Sequence, residues 1–459
     1  MKDCSRKGAL HAGFQTNKWD GELKQRKKNK GLLVALSCFS LVAVCIAHPV
    51  HSENLREMIA PLLKSNNLVK SAEAGLKAAK EGAKAARGGM FPTATFTSHY
   101  GYEKQNKTTG TADSNLIPRK ADVSVNQLVW DFGATNATIK AAKLAAKGAK
   151  FGLISAQQAT ILGAITSYLN VDASAKALKY ARESESNIKR QTELENSLVK
   201  KGAGLSSDVL QAKATLAGAM ARRVGAELAL AMARNAYRKA FQTSDPADLS
   251  AIEKPKFPSD SIPGTLEEAI EIALRKNPGI RAANMGAAAA SQGVKIARAS
   301  SFFPKFDITA AAGWKDNDGG AEGHQEDRSA KLNMTFPFNL GFTAVNTIRA
   351  AKFGVSAVQY QIKEARDATE NLVRDTWANM NMTKQNYKFL SNQATISAEF
   401  LELARKEKKA GNKTLMDVLG GETALINAKS DAAGAESAVL TMGYTLLGAM
   451  GILELSQIQ

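Results

Sequence analysis

Asp208 and Asp417 each open the triplet Asp-Val-Leu, and each stands at the head of a segment patterned as a helix. An acid in a first helical turn faces the positive end of the helix dipole, worth about 0.3–1 kcal/mol. Helix capping is thus the first chemistry this placement supports. Other reactive groups are sparse. Beyond residue 52 the histidines are His99, in an alternating segment, and His324, in a polar loop. Neither has a cysteine, a second histidine or a spaced carboxylate pair beside it that would make a metal site. Asp316, Asp318, Glu322, Glu326 and Asp327 give one loop an acidic character that reads as solvation rather than as a calcium cradle. Asn106, Asn136 and Asn412 open Asn-x-Thr triplets that carry no weight, and no glycine-rich phosphate loop occurs. The chain therefore reads as a non-enzyme with no cofactor and no metal, and any energy it needs must come from a partner.

The elements that hold these residues are written twice. Leu55–Arg87 aligns without a gap on Leu266–Arg298, 211 residues on, with 13 of 33 positions identical. The matches include Asn66 with Asn277, Gly75 with Gly286, and Ala86-Arg87 with Ala297-Arg298. Each copy then reaches Phe-Pro (Phe91-Pro92, Phe303-Pro304), and Thr138–Lys143 is echoed by Thr347–Lys352. So long a period marks a duplicated half-domain rather than a solenoid.

Residues 1–52 read as an N-terminal extension and signal peptide. A basic run (Lys24–Lys30) precedes Leu32–Ala47, an uncharged stretch too short for a comfortable transmembrane helix. All three cysteines (Cys4, Cys38, Cys45) lie there, so the remaining chain has no thiol or disulfide chemistry. The formal net charge of +18 raises nucleic acid as a partner. The basic residues are spread along helical segments among acids, and with an export signal the expectation is no nucleic acid.

Proline is absent from Arg119 to Asp245 and from Phe338 to Gln459, in stretches rich in Ala, Leu, Lys, Glu and Gln. That permits very long helices, predicted over 134–201 and 343–410, each about 100 Å long. Glycine-containing turns at Gly202 and Gly411 then reverse the chain into helices over 207–243 and 416–450. Helices of this length need neighbours along their whole extent.

Between each Phe-Pro and its long helix the pattern alternates. Phe306, Ile308, Ala310, Ala312 and Trp314 occupy one face, and Leu332, Met334, Phe336, Phe338 and Leu340 continue it after the loop. Strands are predicted at about 93–103 and 120–131 in the first repeat (53–243), and at about 305–315 and 330–341 in the second (265–459). Proline-rich 244–264 connects the repeats. Alternation of this kind is the signature of membrane-barrel strands, and Tyr100, Tyr102, Trp130 and Trp314 fall where interfacial aromatics sit. Four strands cannot close a barrel and open edges are not tolerated in lipid, so if these strands span a membrane, and are not an ordinary soluble hairpin, the chain must oligomerise.

With these motifs in place the chain resembles the TolC-type outer-membrane efflux proteins of efflux and type I secretion systems. The resemblance rests on Leu266–Ile280, Ala297-Arg298 to Phe303-Pro304, Phe336–Gly341, and Gly411 followed by Asp417-Val418-Leu419. It implies a mainly α fold with a membrane β-barrel portion: a homotrimer with a twelve-stranded barrel in outer-membrane lipid above a periplasmic α-barrel tunnel. It implies a passive exit duct, with an inner-membrane pump or ABC transporter and a periplasmic adaptor as partners. By the same resemblance Asp417 rings the tunnel entrance. Asp208 faces Lys413 or Lys408 across the tip as a polar latch, and Gly202 and Gly411 mark the tips that an adaptor contacts. The chain departs from the pattern at Asn67, where the second repeat has Pro278, at Gly420 in place of a second acid, and at Lys408 in place of an aromatic. The rival reading is a structural or adhesive coiled-coil protein without channel activity.

Overall fold

The computed structural model describes residues 53–106, 113–242, 252–338 and 340–458; the leader and part of the connector lie outside them. Each repeat opens with two short helices, α1 (Leu55–Ser65) and α2 (Asn67–Gly88) in the first, α5 (Leu266–Lys276) and α6 (Pro278–Phe302) in the second. Asn66 and Asn277 make the joints, each side chain accepting from backbone amides of the following helix. Strands follow: β2 (Thr93–Tyr100) and β5 (Arg119–Trp130), then β7 (Lys305–Asp316) and β8 (His324–Thr335). Short pieces β3 (Glu103–Gln105) and β4 (Ser114–Leu116) extend the first hairpin. Then come the long helices, α3 (Ala134–Lys200) and α7 (Thr343–Lys409), 67 residues each, so about 100 Å. Helices α4 (Ser206–Phe241) and α8 (Leu415–Met450) run back along them. Lastly β1 (Glu53–Asn54) pairs in parallel with β6 (Ile252–Glu253), tying the chain entry to the connector.

The four long strands form one antiparallel sheet, β2-β5-β7-β8, so β5 and β7 join the two repeats. Its register places Phe96, Val123 and Ala312 on one face with Val125, Ala310 and Ala330. The other face is polar: the Asn126 amide donates to Asp307 (3.1 Å) and Thr309 (2.9 Å), and Asn333 donates to Thr309 (2.9 Å). Strand β8 corrects the predicted span of 330–341. It begins within the loop foreseen as polar and ends at Thr335, because its partner β7 has no residue beyond Lys305 to pair with. Pro304 and the end of α6 stand there, and Pro337 has no amide to donate. Phe336 and Phe338, which continue the alternation, pack ring to edge outside the strand (4.5 Å). No described helix is long and apolar enough to cross a membrane.

The main core sits at mid-height of the long helices. Ile161, Ile165, Tyr168 and Leu169 of α3 and Val373 and Met380 of α7 meet Tyr237 of α4 and Tyr444 and Leu447 of α8, with α1 and α5 packed on them. The connector is clamped here. Tyr444 donates to the Lys256 carbonyl (2.8 Å), and Phe257 lies against Gly443. Burial pushes the Tyr444 phenol up to about 12. A Cβ at Gly443 would stand 2.7 Å from Phe257 Cε2 and 3.2 Å from Pro258 Cδ. Gly443→Ala is therefore expected to destabilise the fold by roughly 1–3 kcal/mol through overpacking, read as a lowered Tm by circular dichroism.

Candidate functional site at the helix tips

The two hairpins turn by the same device. Gly202 (φ +74°) and Gly411 (φ +82°) take the left-handed conformation that ends a helix. Ala203 N–H donates to Leu198 O, and Asn412 N–H donates to Glu407 O, both at 2.9 Å. Past the turn the copies diverge. Thr414 and Asp417 form a reciprocal capping box: the Thr414 amide (3.0 Å) and hydroxyl (2.7 Å) donate to Asp417 Oδ2, and the Asp417 amide donates to Thr414 Oγ1 (3.3 Å). The Thr414 hydroxyl and amide, with Lys413 nearby, hold the Asp417 carboxyl below its usual range. Asp208 has Leu205 at the equivalent cap position, and no side-chain cap bond is made there. Identical triplets thus have different local chemistry, decided by the residue three positions earlier.

Within the chain, the structure does not bring Asp208 to Lys408. Lys408 reaches from α7 to Glu195 on α3 instead, joining the two repeats just above the tips. Lys413 stands 6.0 Å over the Phe400 ring. A second polar tie lies deeper. Glu422 of α8 accepts from Arg405 of α7 (2.6 Å) and from Asn187 of α3 (2.5 Å) beside a cavity of about 410 Å³. Glu195 and Glu422 are only 5% and 6% exposed. Sequence reading missed both. The available signal was an acid on an apolar stripe, since Ile188, Thr192 and Glu195 share a face, as do Leu415, Leu419, Glu422 and Ile426. Arg223 of α4 bridges Glu185 (2.6 Å) and Glu227 (2.8 Å), and Arg182 reaches Glu227 (3.2 Å).

At mid-height Lys176 and Lys254 interleave with Asp172 and Glu436, tying α3, α8 and the connector. Burial works against the Lys176 charge, but the Asp172 and Glu436 carboxylates outweigh it and raise its pKa. Burial likewise opposes the Glu436 charge, and Lys254 and Lys176 prevail to hold it below the usual range.

On the sheet, Tyr100 and Trp314 lie near the end remote from the helices, with Tyr102 just beyond β2. Trp130 lies at the helix-side end, 6.0 Å from Phe132, which stacks on Phe303 at 4.7 Å. His99 approaches Asp318 (3.5 Å) and His324 approaches Glu326 (3.7 Å). Among the described residues, no group of three or more His, Cys, Asp or Glu is arranged to hold a metal ion.

Two helices about 100 Å long, each reversed at a tight tip into a partner of about half its length and joined at its other end to an apolar-faced sheet, make up a duplicated helical hairpin architecture. The chain belongs to the outer membrane efflux protein family, whose model matches it twice, over residues 58–241 and 269–452. It is 23% identical over 439 residues to the outer membrane efflux protein BepC of Brucella suis biovar 1 (strain 1330), covering 93% of this chain and 91% of that one. It is 24% identical over 440 residues to the outer membrane protein TolC of Escherichia coli (strain K12), covering 93% and 87%. Among solved structures, the outer-membrane channel OprN shares the fold with a TM-score of 0.75 at 20% identity, over 86% of this chain and 89% of that one. The Campylobacter jejuni CmeC outer membrane channel does so with 0.75 at 17%, over 88% and 87%. The protein is an outer-membrane efflux channel with a periplasmic extension.

Proposed function

We propose that the working unit is a homotrimer, in which the four strands of each of three chains close a twelve-stranded barrel over a continuous helical tunnel. The observation that carries this is the pair of unpaired edges, on β2 and β8. Open edges are not stable in lipid, and a neighbour's β8 against β2 repairs both at once. The helices point the same way. Met382, Phe389, Ile396 and Leu403 recur every seventh residue along α7 and are exposed in the single chain, and Leu210, Val224, Leu228 and Met232 form an exposed stripe on α4. A heptad of this kind is a coiled-coil seam awaiting a partner helix.

The trimer is a passive duct of a tripartite efflux pump or type I secretion system. An inner-membrane pump or ABC transporter supplies the energy, and a periplasmic adaptor meets the tips around Gly202 and Gly411. The gate is at those tips. Three Asp417 carboxylates, half-exposed in each chain and ionised by their capping bonds, ring the narrow entrance and favour cations. Asp208, Lys413 and Lys408 belong to the same gate, with Asp208 facing a neighbouring chain.

Single-channel recording in planar bilayers tests this. The wild type is expected to show a small cation-selective conductance, and Asp417→Ala to lose much of that selectivity. Unchanged selectivity would return Asp417 to capping alone. No conductance from a folded oligomer would favour the structural coiled-coil reading.

A further inference from the structure

Four helix ends that meet the sheet, the last turns of α2 and α6 and the first turns of α3 and α7, carry a repeated charge pattern. Lys84 and Arg87 lie on α2, Lys140 and Lys143 on α3, Lys295 and Arg298 on α6, and Arg349 and Lys352 on α7. Each helix contributes two basic residues three positions apart, and the pairs match between repeats (Lys84 with Lys295, Arg87 with Arg298, Lys140 with Arg349, Lys143 with Lys352). All eight are exposed. Over residues 81–88, 134–150, 291–302 and 343–357 the one acid is Glu81, which pairs with Lys84 (2.8 Å). The remote end of the sheet differs: there Glu103, Asp113, Asp316, Asp318, Glu326 and Asp327 mix with Lys104, Arg119, Lys120, Lys315 and Arg328.

Two of the helices show which way this collar faces. On α3, residues 140, 143, 147 and 150 share the helix face of Phe151, Ile154, Gln158 and Ile161 at 100° per residue. Lower down, that face lines a cavity of about 860 Å³ together with Ile272 of α5 and residues 451–455. A face covered by short peripheral elements is the outside of the wall. On α6, Lys295 lies close to the face of Arg281, which lines the same cavity and stacks over Phe151 (4.3 Å). The duplication carries this orientation to α2 and α7.

The height is that of lipid headgroups. Twelve-residue strands tilted by about 45° span roughly 28 Å, close to a hydrocarbon core of about 30 Å. The collar occupies the next ~14 Å of helix, and the headgroup layer adds about 5–8 Å on each side of the core. Long lysine and arginine side chains reach back over the remaining distance. We propose that the collar binds anionic phospholipid headgroups of the periplasmic leaflet and so fixes the depth at which the sheet sits. The inference rests on the outer-membrane placement and not on the Asp417 gate.

The test is the lipid retained by the protein purified from mixed micelles of phosphatidylglycerol and phosphatidylethanolamine, measured by mass spectrometry. Wild type is expected to enrich phosphatidylglycerol roughly tenfold at low salt and to lose that enrichment in 1 M salt. The quadruple variant Lys140→Gln, Lys143→Gln, Arg349→Gln, Lys352→Gln should show little enrichment while keeping wild-type oligomeric state and conductance. Enrichment that survives the four substitutions, or that survives high salt in wild type, overturns the proposal. So does a variant whose channel turns more cation-selective with its lipid preference intact, because the collar would then face the lumen. The salt titration needs only wild type and decides the matter even where the variant does not fold.

Discussion

Phe389→Glu with Ile396→Glu is expected to leave a folded monomer that conducts nothing. The two residues lie seven apart on the exposed seam of α7, with Met382 before them and Leu403 after. Burying each against a neighbouring chain is worth about 1.5–3 kcal/mol by apolar area alone. Glutamates at the same places would carry two unpaired charges into each contact, and a closed trimer repeats that contact three times. Intrachain packing should survive, because α7 meets α8 through other residues, among them Leu401 and Ala404 against Val418. Light scattering in detergent reads the oligomeric state and bilayer recording reads the channel. A trimer of undiminished stability would remove α7 from the interface and leave the sheet edges and the exposed α4 stripe as the grounds for assembly.

What the sequence could and could not announce follows from range. Helix and strand are local properties. Missing prolines and a 3.6-residue pattern were enough to place α3 and α7, and the two-residue alternation was enough to find strands. The extent of β8 is not local. Phe336 and Phe338 continue its pattern, yet the strand ends at Thr335, since pairing with β7 sets the last rung. The tips show the same division. Gly202 and Gly411 were visible as turn residues, and their positive φ follows from the chain reversal. The two Asp-Val-Leu triplets look alike, but Thr414 makes Asp417 part of a capping box while Leu205 offers Asp208 nothing. Glu195 and Glu422 escaped notice because a glutamate in a charged helix reads as solvated, and Lys408, which pairs with Glu195, lies 213 residues away.

That unforeseen pair supports the second large effect. Lys408→Met is expected to loosen the tips and raise the resting conductance. Glu195 is 5% exposed and Lys408 holds it across the junction between repeats. Removing one partner of a buried pair costs roughly 3–5 kcal/mol, because the remaining charge stays buried and unpaired. With 21% of its side chain exposed, Lys408 should give a loss near the lower end of that range. The loss falls on contacts between α3 and α7 close to Gly202 and Gly411, the elements that would part if the entrance opened. Amide exchange should therefore quicken near residues 190–200 and 404–412 while the mid-height core around Tyr168 and Tyr444 stays protected. Glu195→Leu with Lys408→Leu should recover most of the stability, since an apolar pair leaves no buried charge, and should bring the resting conductance back down. Unchanged exchange and conductance in Lys408→Met would show that the tips are held by Glu422, Arg405 and Asn187 and the apolar packing around them, without the Lys408–Glu195 pair. A double variant as leaky as the single one would mean that the charges themselves keep the entrance closed, not merely the packing around them.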